Sequence, residues 1–396
     1  MSIKSGFETF ISKIIVLRRI QVIKLIVLAA LVASADSIAT AQTTEQVSVD
    51  SFGNQGDSSS SYHAISADGR FVAFTSAASN LVEGDTNDAE DVFVHDRQTG
   101  VTERVSVDSF GNEGNEQSFL PAISGDGRFV AFASWASNLV EGDTNGAQDV
   151  FVHDRQIGVT ERVSGGTYPS ISADGRFVAF MRFAFMSGGV QDIWVYDRQT
   201  SVTERVDNQG NDHSWYVAIS ADGRFVAFMS RASNLVEGDT NGAQDVFVHD
   251  RQTGATERVS VDSLGNEGSG SARPSISGDG RFVAFDSYAS NLVDADTNGV
   301  DDVFVHDRQT GVTERVSISS LGDQGNNSSI RPSSARTGAS WRSTHMPATW
   351  WTQIPTMPRM SSSTTAVRSC MPSMAFSSRW IISLFLMMLR RAVLFR

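Results

Sequence analysis

Hydrophobic and polar positions follow one pattern that returns five times along the middle of the chain. The string I-S-[AG]-D-G-R-F-V-A-F is followed by D-[VI]-[FW]-V-[HY]-D-R and then, after a short turn, by T-E-R-V. The first string begins at Ile65, Ile123, Ile171, Ile219 and Ile276. Successive copies lie 48 to 58 residues apart, and a repeat with such a period indicates a fold built from one recurring unit.

Each copy is predicted to form four short antiparallel strands, which we name A to D. Asp68-Gly69 lies between two apolar runs and predicts a tight hairpin turn there. Such a turn needs a positive φ, which glycine adopts readily. In the first copy we expect strand A near residues 62–66, B near 70–76, C near 91–96 and D near 102–107. β-Branched and aromatic residues dominate these runs, and no apolar stripe with a helical period appears.

Strand B is apolar on both faces, so the sheet that contains it must be covered on both sides. Four-stranded sheets packed radially as blades meet this requirement. The sequence therefore predicts an all-β fold, a β-propeller of four-stranded blades with five complete in-frame copies in residues 42–330.

The two strings resemble the WD-like (PD-type) repeat of TolB-like β-propellers, and the resemblance extends over residues 44–330. It implies a propeller fold, export from the cytoplasm and a role as an interaction platform. The family motif carries no catalytic residues, so the resemblance assigns none to this chain.

Residues 1–41 have the composition of a signal peptide. Five Lys or Arg residues precede or flank an apolar run from Leu25 to Ala33, and Ala39-Thr40-Ala41 is a small-residue cleavage pattern. We expect cleavage after Ala41 and an exported protein, periplasmic or extracellular. The alternative is an uncleaved membrane anchor, although the apolar segment is short for a span.

Residues 331–396 are interpreted as a sixth copy that continues in the wrong reading frame. They contain nine Arg and no Asp or Glu, and the repeat pattern stops after Ser333. Back-translation of residues 337–343 with permitted codons, shifted by one base, gives DGRFVAF, and the shifted frame continues to residue 366 as a complete segment of strands B and C. One base deleted in the codon for Ser333 accounts for the change. We expect a disordered, out-of-frame tail.

Residues 44–50, T-E-Q-V-S-V-D, match strand D of a repeat but have no strands A to C before them. In a closed propeller such a strand completes the last blade and leaves no free sheet edge. The sequence therefore predicts an original design of six blades, with the frameshifted sixth blade closed by this N-terminal strand.

The charge balance excludes some partners. The net charge is −13, and residues 42–330 contain 18 Arg, no Lys and 43 Asp or Glu. Phosphate groups are bound by clustered Lys and Arg, so we expect no nucleic-acid partner and no stable membrane insertion after signal removal. Cys370 is the only cysteine, which excludes a disulfide framework.

Four copies contain an oxygen-rich loop between strands B and C, such as E-G-D-T-N-G-A-Q-D at residues 141–149, and the third copy lacks it. Asp, Asn and Asp at positions 1, 3 and 7 of such a turn are a candidate Ca²⁺ site. The other interpretation is an Asx turn, in which these side chains bind the backbone. The candidate ligands are Asp85, Asn87, Asp91, Asp143, Asn145, Asp149, Asp239, Asn241, Asp245, Asp296, Asn298 and Asp302.

Two positions vary between copies while their neighbours barely change, one directly after strand B and one at the start of strand A. An up-and-down meander places both on one face, where aromatic and arginine side chains could form binding hot spots. The other interpretation is that they pack between blades. The candidates for a recognition face are Tyr62, Trp135, Tyr168, Phe183, Trp215, Tyr216, Arg231, Arg273 and Tyr288.

These features predict an exported, non-catalytic scaffold that binds an unknown protein or glycan, with calcium as the one candidate cofactor. The repeated histidines (His95, His153, His249 and His306) occur one per blade and are expected to be structural. One alternative is an enzyme of the glycan lyase or hydrolase type, for which only Arg182 and His213 are candidates. A non-functional frameshifted product is the other.

Overall fold

The computed structural model describes residues 44–183, 189–207, 210–319, 321–334 and 341–342. These residues form five four-stranded antiparallel sheets, arranged as blades in a ring, and two further short strands. The strands are β1 (Ser60–Ile65), β2 (Phe71–Ser76), β3 (Asp91–Asp96), β4 (Thr102–Arg104), β5 (Ser118–Ile123), β6 (Phe129–Ser134), β7 (Asp149–Asp154), β8 (Val159–Gly165), β9 (Thr167–Ile171), β10 (Phe177–Phe183), β11 (Gln191–Asp197), β12 (Val202–Arg205), β13 (Ser214–Ile219), β14 (Phe225–Ser230), β15 (Asp245–Asp250), β16 (Ala255–Arg258), β17 (Ser271–Ile276), β18 (Phe282–Ser287), β19 (Asp302–Asp307), β20 (Val312–Arg315), β21 (Ser333–Ser334) and β22 (Trp341–Arg342).

The predicted propeller of four-stranded blades is confirmed, and the described residues contain no helix. Each blade has the strand order A-B-C-D that the repeat predicts. The predicted signal peptide, residues 1–41, lies outside the described residues, as does most of the predicted out-of-frame tail.

Strand D of the first blade is shorter than predicted, because a side chain takes the place of one backbone hydrogen bond at its end. In the first blade β4 stops at Arg104. Beyond it the Ser106 hydroxyl accepts a hydrogen bond from the Val92 amide at 3.0 Å and donates to the Asp91 carboxylate at 2.5 Å. Together with a backbone hydrogen bond from the Val105 amide to the Val92 carbonyl at 2.8 Å, this side chain holds the segment after β4 against strand C.

The Asp-Gly turn between strands A and B forms as predicted. Asp68 Oδ1 accepts hydrogen bonds from the Ser66 hydroxyl at 2.6 Å and the Arg70 amide at 3.0 Å. Gly69 has a φ of +73°, a conformation in which a Cβ would be strained. The repeated aspartates of this turn are turn residues, as the sequence indicates.

Neighbouring blades share hydrophobic cores. In the core between blades 1 and 2, Ala73, Val92 and Val94 of one blade pack with Phe132 and Phe151 of the next. Blades 2 and 3, 3 and 4, and 4 and 5 share equivalent clusters. In blades 2 to 4 this arrangement explains why strand B is apolar on both faces, since each face packs against a different neighbouring blade.

The string D-G-R-F also joins each blade to the next. The ring of Phe71 lies between two guanidinium groups, 4.6 Å from that of Arg70 and 4.4 Å from that of Arg155 in the following blade. Arg155 also binds the carboxylate of Glu103 and the carbonyl of Gly127. The repeated Arg and Phe are thus structural, and the same arrangement recurs between the later blades.

The N-terminal segment occupies the place of a strand D that precedes blade 1. Glu45 forms an ion pair with Arg97 of blade 1, as Glu103 does with Arg155 one blade later. Val49 forms an isolated bridge with Gln55, equivalent to the bridge between Val107 and Glu113. Residues 44–50 therefore lie against blade 1 as the strand D of a preceding blade would.

Candidate functional site

Strand A of every blade contains a strained residue at the same position. A bulge interrupts the pairing of strands A and B, for example between Phe119 and Ala122, and a residue other than glycine adopts a left-handed conformation there. Such residues are uncommon, and they concentrate at binding and catalytic sites. With their φ angles they are Tyr62 (43°), Leu120 (56°), Tyr168 (51°), Tyr216 (50°) and Arg273 (49°).

A sixth residue of this kind follows the last complete blade. Arg331 has a φ of 56° and precedes Pro332, just as Arg273 precedes Pro274. The backbone amide of Ser329 donates to the carbonyl of Asp301 at 2.7 Å, as that of Ser118 does to Glu90. The chain therefore begins a sixth strand A in the position that the repeat requires.

These six residues surround the mouth of a central cavity of about 250 Å³. The other lining residues are the ones that follow each of them in the chain, mostly prolines: His63, Pro121, Pro169, Val217, Pro274 and Pro332. The lining contains two arginines and no carboxylate. A small ligand entering this mouth meets aromatic rings, flat apolar surface and positive charge.

Two of the tyrosines, from the adjacent blades 3 and 4, contact each other at the mouth. The rings of Tyr168 and Tyr216 meet edge to face, with their centroids 5.3 Å apart, which is a favourable arrangement for aromatic pairs. Burial raises the pKa of the Tyr168 hydroxyl, and the nearby Tyr216 and Tyr62 act in the same direction. Tyr168 therefore stays neutral at physiological pH and can donate a hydrogen bond.

A buried carboxylate positions the arginine side of the mouth. Asp286 is 2% exposed; its Oδ2 lies 2.8 Å from Nη1 of Arg273, and its Oδ1 accepts a hydrogen bond from the Arg331 amide at 3.1 Å. Burial raises the pKa of Asp286 to about 6. Sequence reasoning missed this residue, although the copies show the signal: the equivalent positions hold Thr75, Ala133, Met181 and Met229.

The predicted recognition face divides into two groups. Tyr62, Tyr168, Tyr216 and Arg273 lie together at the cavity mouth. The residues after strand B do not line it: Trp135 is 48% exposed and Tyr288 is 55% exposed, while Arg231 lies over the ring of Trp215 at 5.7 Å. The side chain of Phe183 lies outside the described residues.

The acidic loops place their carboxylates around an arginine. Nη1 of Arg104 lies 3.2 Å from Asp85, 3.4 Å from Asp91 and 2.8 Å from Glu113. One carboxylate oxygen from each of these three acids lies within 4.8 Å of the other two, the one such cluster of potential metal ligands in the described part of the chain. Burial raises the pKa of Asp85 to about 6, against the opposing effect of Arg104.

The asparagine of this loop forms an Asx turn. Asn87 Oδ1 accepts a hydrogen bond from the Ala89 amide at 2.9 Å, and its Nδ2 donates to Asp91 at 3.1 Å and to the Gly114 carbonyl at 2.8 Å. The side-chain amide of Asn87 therefore directs its nitrogen, not its oxygen, toward Asp91, the residue with which it was expected to bind Ca²⁺. The other loops repeat the turn at Asn145, Asn241 and Asn298, and the arginine contacts at Arg162, Arg258 and Arg315.

Each repeated histidine forms a hydrogen bond with a threonine of strand D in its own blade. His153 Nδ1 lies 2.8 Å from Oγ1 of Thr160, and that hydroxyl donates to the carbonyl of Val107 in the preceding blade. Burial lowers the pKa of His153, so the ring is neutral at physiological pH. The structural interpretation of these residues agrees with this geometry.

The two candidates for catalysis have separate contacts. His213 stacks on Trp215 with centroids 5.3 Å apart, and its Nδ1 accepts a hydrogen bond from the Gln191 amide at 3.1 Å. Arg182 lies 5.4 Å from the ring of Trp194. Neither residue lines the cavity mouth.

The chain is similar to several solved structures at low sequence identity. No protein-family model matches the chain, and no curated protein matches it. Among solved structures, TolB from Acinetobacter baumannii is 19% identical with a TM-score of 0.42, covering 65% of this chain and 53% of that one. A putative TolB from Agrobacterium tumefaciens is 19% identical with a TM-score of 0.46, covering 74% and 92%.

An oligogalacturonate lyase in complex with manganese is also similar, at 14% identity and a TM-score of 0.42, covering 64% of this chain and 63% of the lyase. The present chain thus spans about half the length of the first of these structures and most of the second. At such identities the similarity concerns the fold alone.

Within the described residues, no helix has the length and apolar character needed to cross a membrane.

Proposed function

We propose that the protein is an exported, non-catalytic binding module that captures a short acidic segment of a partner protein at the mouth of its central cavity. The observation that carries this proposal is the ring of six left-handed residues, none of them glycine, that converge on one cavity. Strain of this kind costs on the order of 1 kcal/mol or more per residue and persists where the surrounding structure enforces it, often at ligand sites.

The lining selects for negative charge. Arg273 is neutralised by Asp286, whereas the guanidinium of Arg331 has no carboxylate partner among the described residues. The mouth is therefore positive in a chain whose net charge is −13. Charge complementarity of this kind steers an acidic partner toward the site and rejects basic ones.

The size of the cavity selects for a short segment. A space of about 250 Å³ accepts a few side chains but not a folded domain. Tyr62, Tyr168 and Tyr216 supply flat rings with hydroxyl groups, the combination that recurs in binding hot spots. A carboxylate-bearing segment that places an apolar side chain between these rings and its charge near Arg331 fits the site.

Site-specific photo-crosslinking tests the proposal. A photoreactive benzoylphenylalanine replaces Tyr168 in the mouth and, in a matched control, the 63% exposed Ile157 in the turn between strands C and D. We expect a discrete protein adduct from the first position alone, and loss of that adduct when Arg331→Glu is added. Identical adducts from both positions, or an adduct that survives Arg331→Glu, would contradict the proposal.

We further propose that arginine, rather than calcium, neutralises the acidic loops between strands B and C. Arg104 already contacts all three carboxylates of the cluster, and the side-chain oxygen of Asn87 accepts the hydrogen bond of an Asx turn. A bound Ca²⁺ requires six to eight oxygen ligands and the displacement of this guanidinium. Thermal melting in EDTA and in millimolar Ca²⁺ tests this assignment.

A further inference from the structure

Two blade surfaces share no hydrophobic core with a neighbouring blade among the described residues. Shared cores join blades 1 to 2, 2 to 3, 3 to 4 and 4 to 5. The remaining cluster contains residues of blade 1 alone, Phe74, Ala78, Leu81 and Phe93, with Val82 packed against it. We call the region between this surface and the far surface of blade 5 the sixth sector.

Exposure of one repeated isoleucine marks the sixth sector. Ile65, at the end of strand A in blade 1, is 50% exposed, whereas its four equivalents are 2–8% exposed. Those equivalents, Ile123, Ile171, Ile219 and Ile276, each belong to a core shared with the preceding blade. Ile65 has the same sequence context and differs only in what lies against it.

The turn glycines show the same difference. A Cβ at Gly127 would lie 2.2 Å from the ring of Phe71 in the preceding blade, and Gly175, Gly223 and Gly280 face equivalent phenylalanines at 2.1–2.2 Å. A Cβ at Gly69 would meet nothing closer than 3.6 Å. At four of the five turns only glycine leaves room for the phenylalanine ring of the preceding blade. At the fifth, Gly69, no described ring occupies the equivalent space.

Blade 5 has the complementary incomplete contacts. Each of Phe71, Phe129, Phe177 and Phe225 lies between its own arginine and one from the following blade. Phe282 lies beside Arg281, and the described residues provide no second arginine. The glutamate of strand D in blade 5, Glu314, likewise forms no ion pair within the described part of the chain, although Glu257 does with Arg308.

Both edges of a sixth blade are already in place. Glu45 with Arg97 supplies its strand D contact, and Arg331 supplies its left-handed residue at the cavity mouth. Ser333 pairs with Arg342 and Ser334 with Trp341. This is the register of Ser275 with Ala284 and Ile276 with Val283 in blade 5, displaced by 58 residues along the sequence.

We propose that the sixth sector is a docking surface for one further copy of the repeat, and that its occupant is the segment from codon 334 to codon 366 read in the frame of the other copies. In that frame position 340, now Ser340, becomes the phenylalanine that faces Gly69. Position 366, now Ala366, becomes the arginine that lies over Phe282 and pairs with Glu314. One blade thus completes the contacts that both flanking blades lack.

Cysteine labelling compares the present chain with a restored chain, in which one inserted base returns codons 334–366 to the repeat frame. Ile65→Cys is introduced into both, and Cys370→Ser removes the only native cysteine of the present chain. We expect a maleimide to label the Ile65→Cys variant about tenfold or more slowly in the restored chain, because burial protects a side chain from reagents. The matched Ile123→Cys variant should label slowly in both.

A second measurement guards against a variant that fails to fold. In the present chain, Gly69→Ala should lower the melting temperature less than Gly127→Ala, whereas in the restored chain the two losses should be equal. Equal labelling of the Ile65→Cys variants in the two chains would overturn the proposal. So would protection in the present chain that increases with protein concentration, since that result identifies a second copy as the occupant.

Discussion

The contact between turn glycines and the phenylalanines of preceding blades leads to a sharp prediction about stability. Gly127→Ala and Gly69→Ala change the same position of the same turn in adjacent blades. Their φ angles, +75° and +73°, are nearly identical, so the backbone penalty of alanine is the same in both. Only at Gly127 does the new methyl group enter the space of a ring, that of Phe71.

The expected magnitudes follow from these two terms. Alanine in the left-handed region costs on the order of 1 kcal/mol relative to glycine. At Gly127 the methyl would stand 2.2 Å from Cδ2 of Phe71, so the ring must leave its place between Arg70 and Arg155. Overpacking of this kind costs about 1–3 kcal/mol more. We therefore expect a loss of about 1 kcal/mol for Gly69→Ala and about 2–4 kcal/mol for Gly127→Ala.

Urea denaturation of the two variants and the unaltered chain, followed by circular dichroism at the β-sheet minimum, measures these free energies of unfolding. Gly100→Ala is a further control, because Gly100 has a φ of +76° and no atom lies within 4 Å of the place that an alanine methyl group would take. It should match Gly69→Ala. If Gly127→Ala costs no more than the two controls, the phenylalanine contact does not join the blades and the reasoning is wrong.

Three further predictions concern charge and hydrogen bonding. The pKa of Asp286 is raised to about 6, so its protonated form stabilises the folded state below about pH 4, and this stabilisation of up to about 3 kcal/mol is lost as the pH rises through 6. Asp286→Asn should therefore flatten the change of melting temperature between pH 4 and pH 7. An unchanged slope would contradict the assignment. The melting temperature should be the same in EDTA and in millimolar Ca²⁺, and a rise of several degrees with Ca²⁺ would show that the ion displaces Arg104. Thr160→Val, which removes the hydroxyl between His153 and Val107, should cost about 1–2 kcal/mol in urea denaturation, whereas the exposed Thr99→Val should cost less.

The repeat could be interpreted from the sequence because its determinants are local. Asp68-Gly69 specifies a hairpin through one backbone conformation, and apolar runs on both faces require a neighbour on each side. The pairing of strand A with B and of strand C with D follows from short turns, whereas a longer loop, residues 77–90 in the first blade, joins B to C. The same reasoning identified residues 44–50 as a strand D without a blade, and the ion pair of Glu45 with Arg97 agrees with it.

The candidate site was predicted only in part. Comparison of the copies found Tyr62, Tyr168, Tyr216 and Arg273, because these vary where the scaffold does not. It grouped them with Trp135 and Tyr288, since a one-dimensional pattern gives the face of the ring but not the distance from its axis. The acidic loops look like metal ligands in the sequence, and the arginine among them, Arg104, comes from a different strand.

The sequence by itself determined the four-stranded repeat, the number of its complete copies and its turns. Hydrophobic alternation and glycine positions specify strands and turns through interactions within a few residues of the chain. Only the tertiary structure decided which side chains meet. Closing the units around an axis gathers six residues from six separate segments into one cavity, buries Asp286 behind Arg273 and leaves Ile65 exposed while its equivalents are covered. These outcomes depend on what the neighbouring blade places against each residue, and contacts of that kind join residues some 50 positions apart.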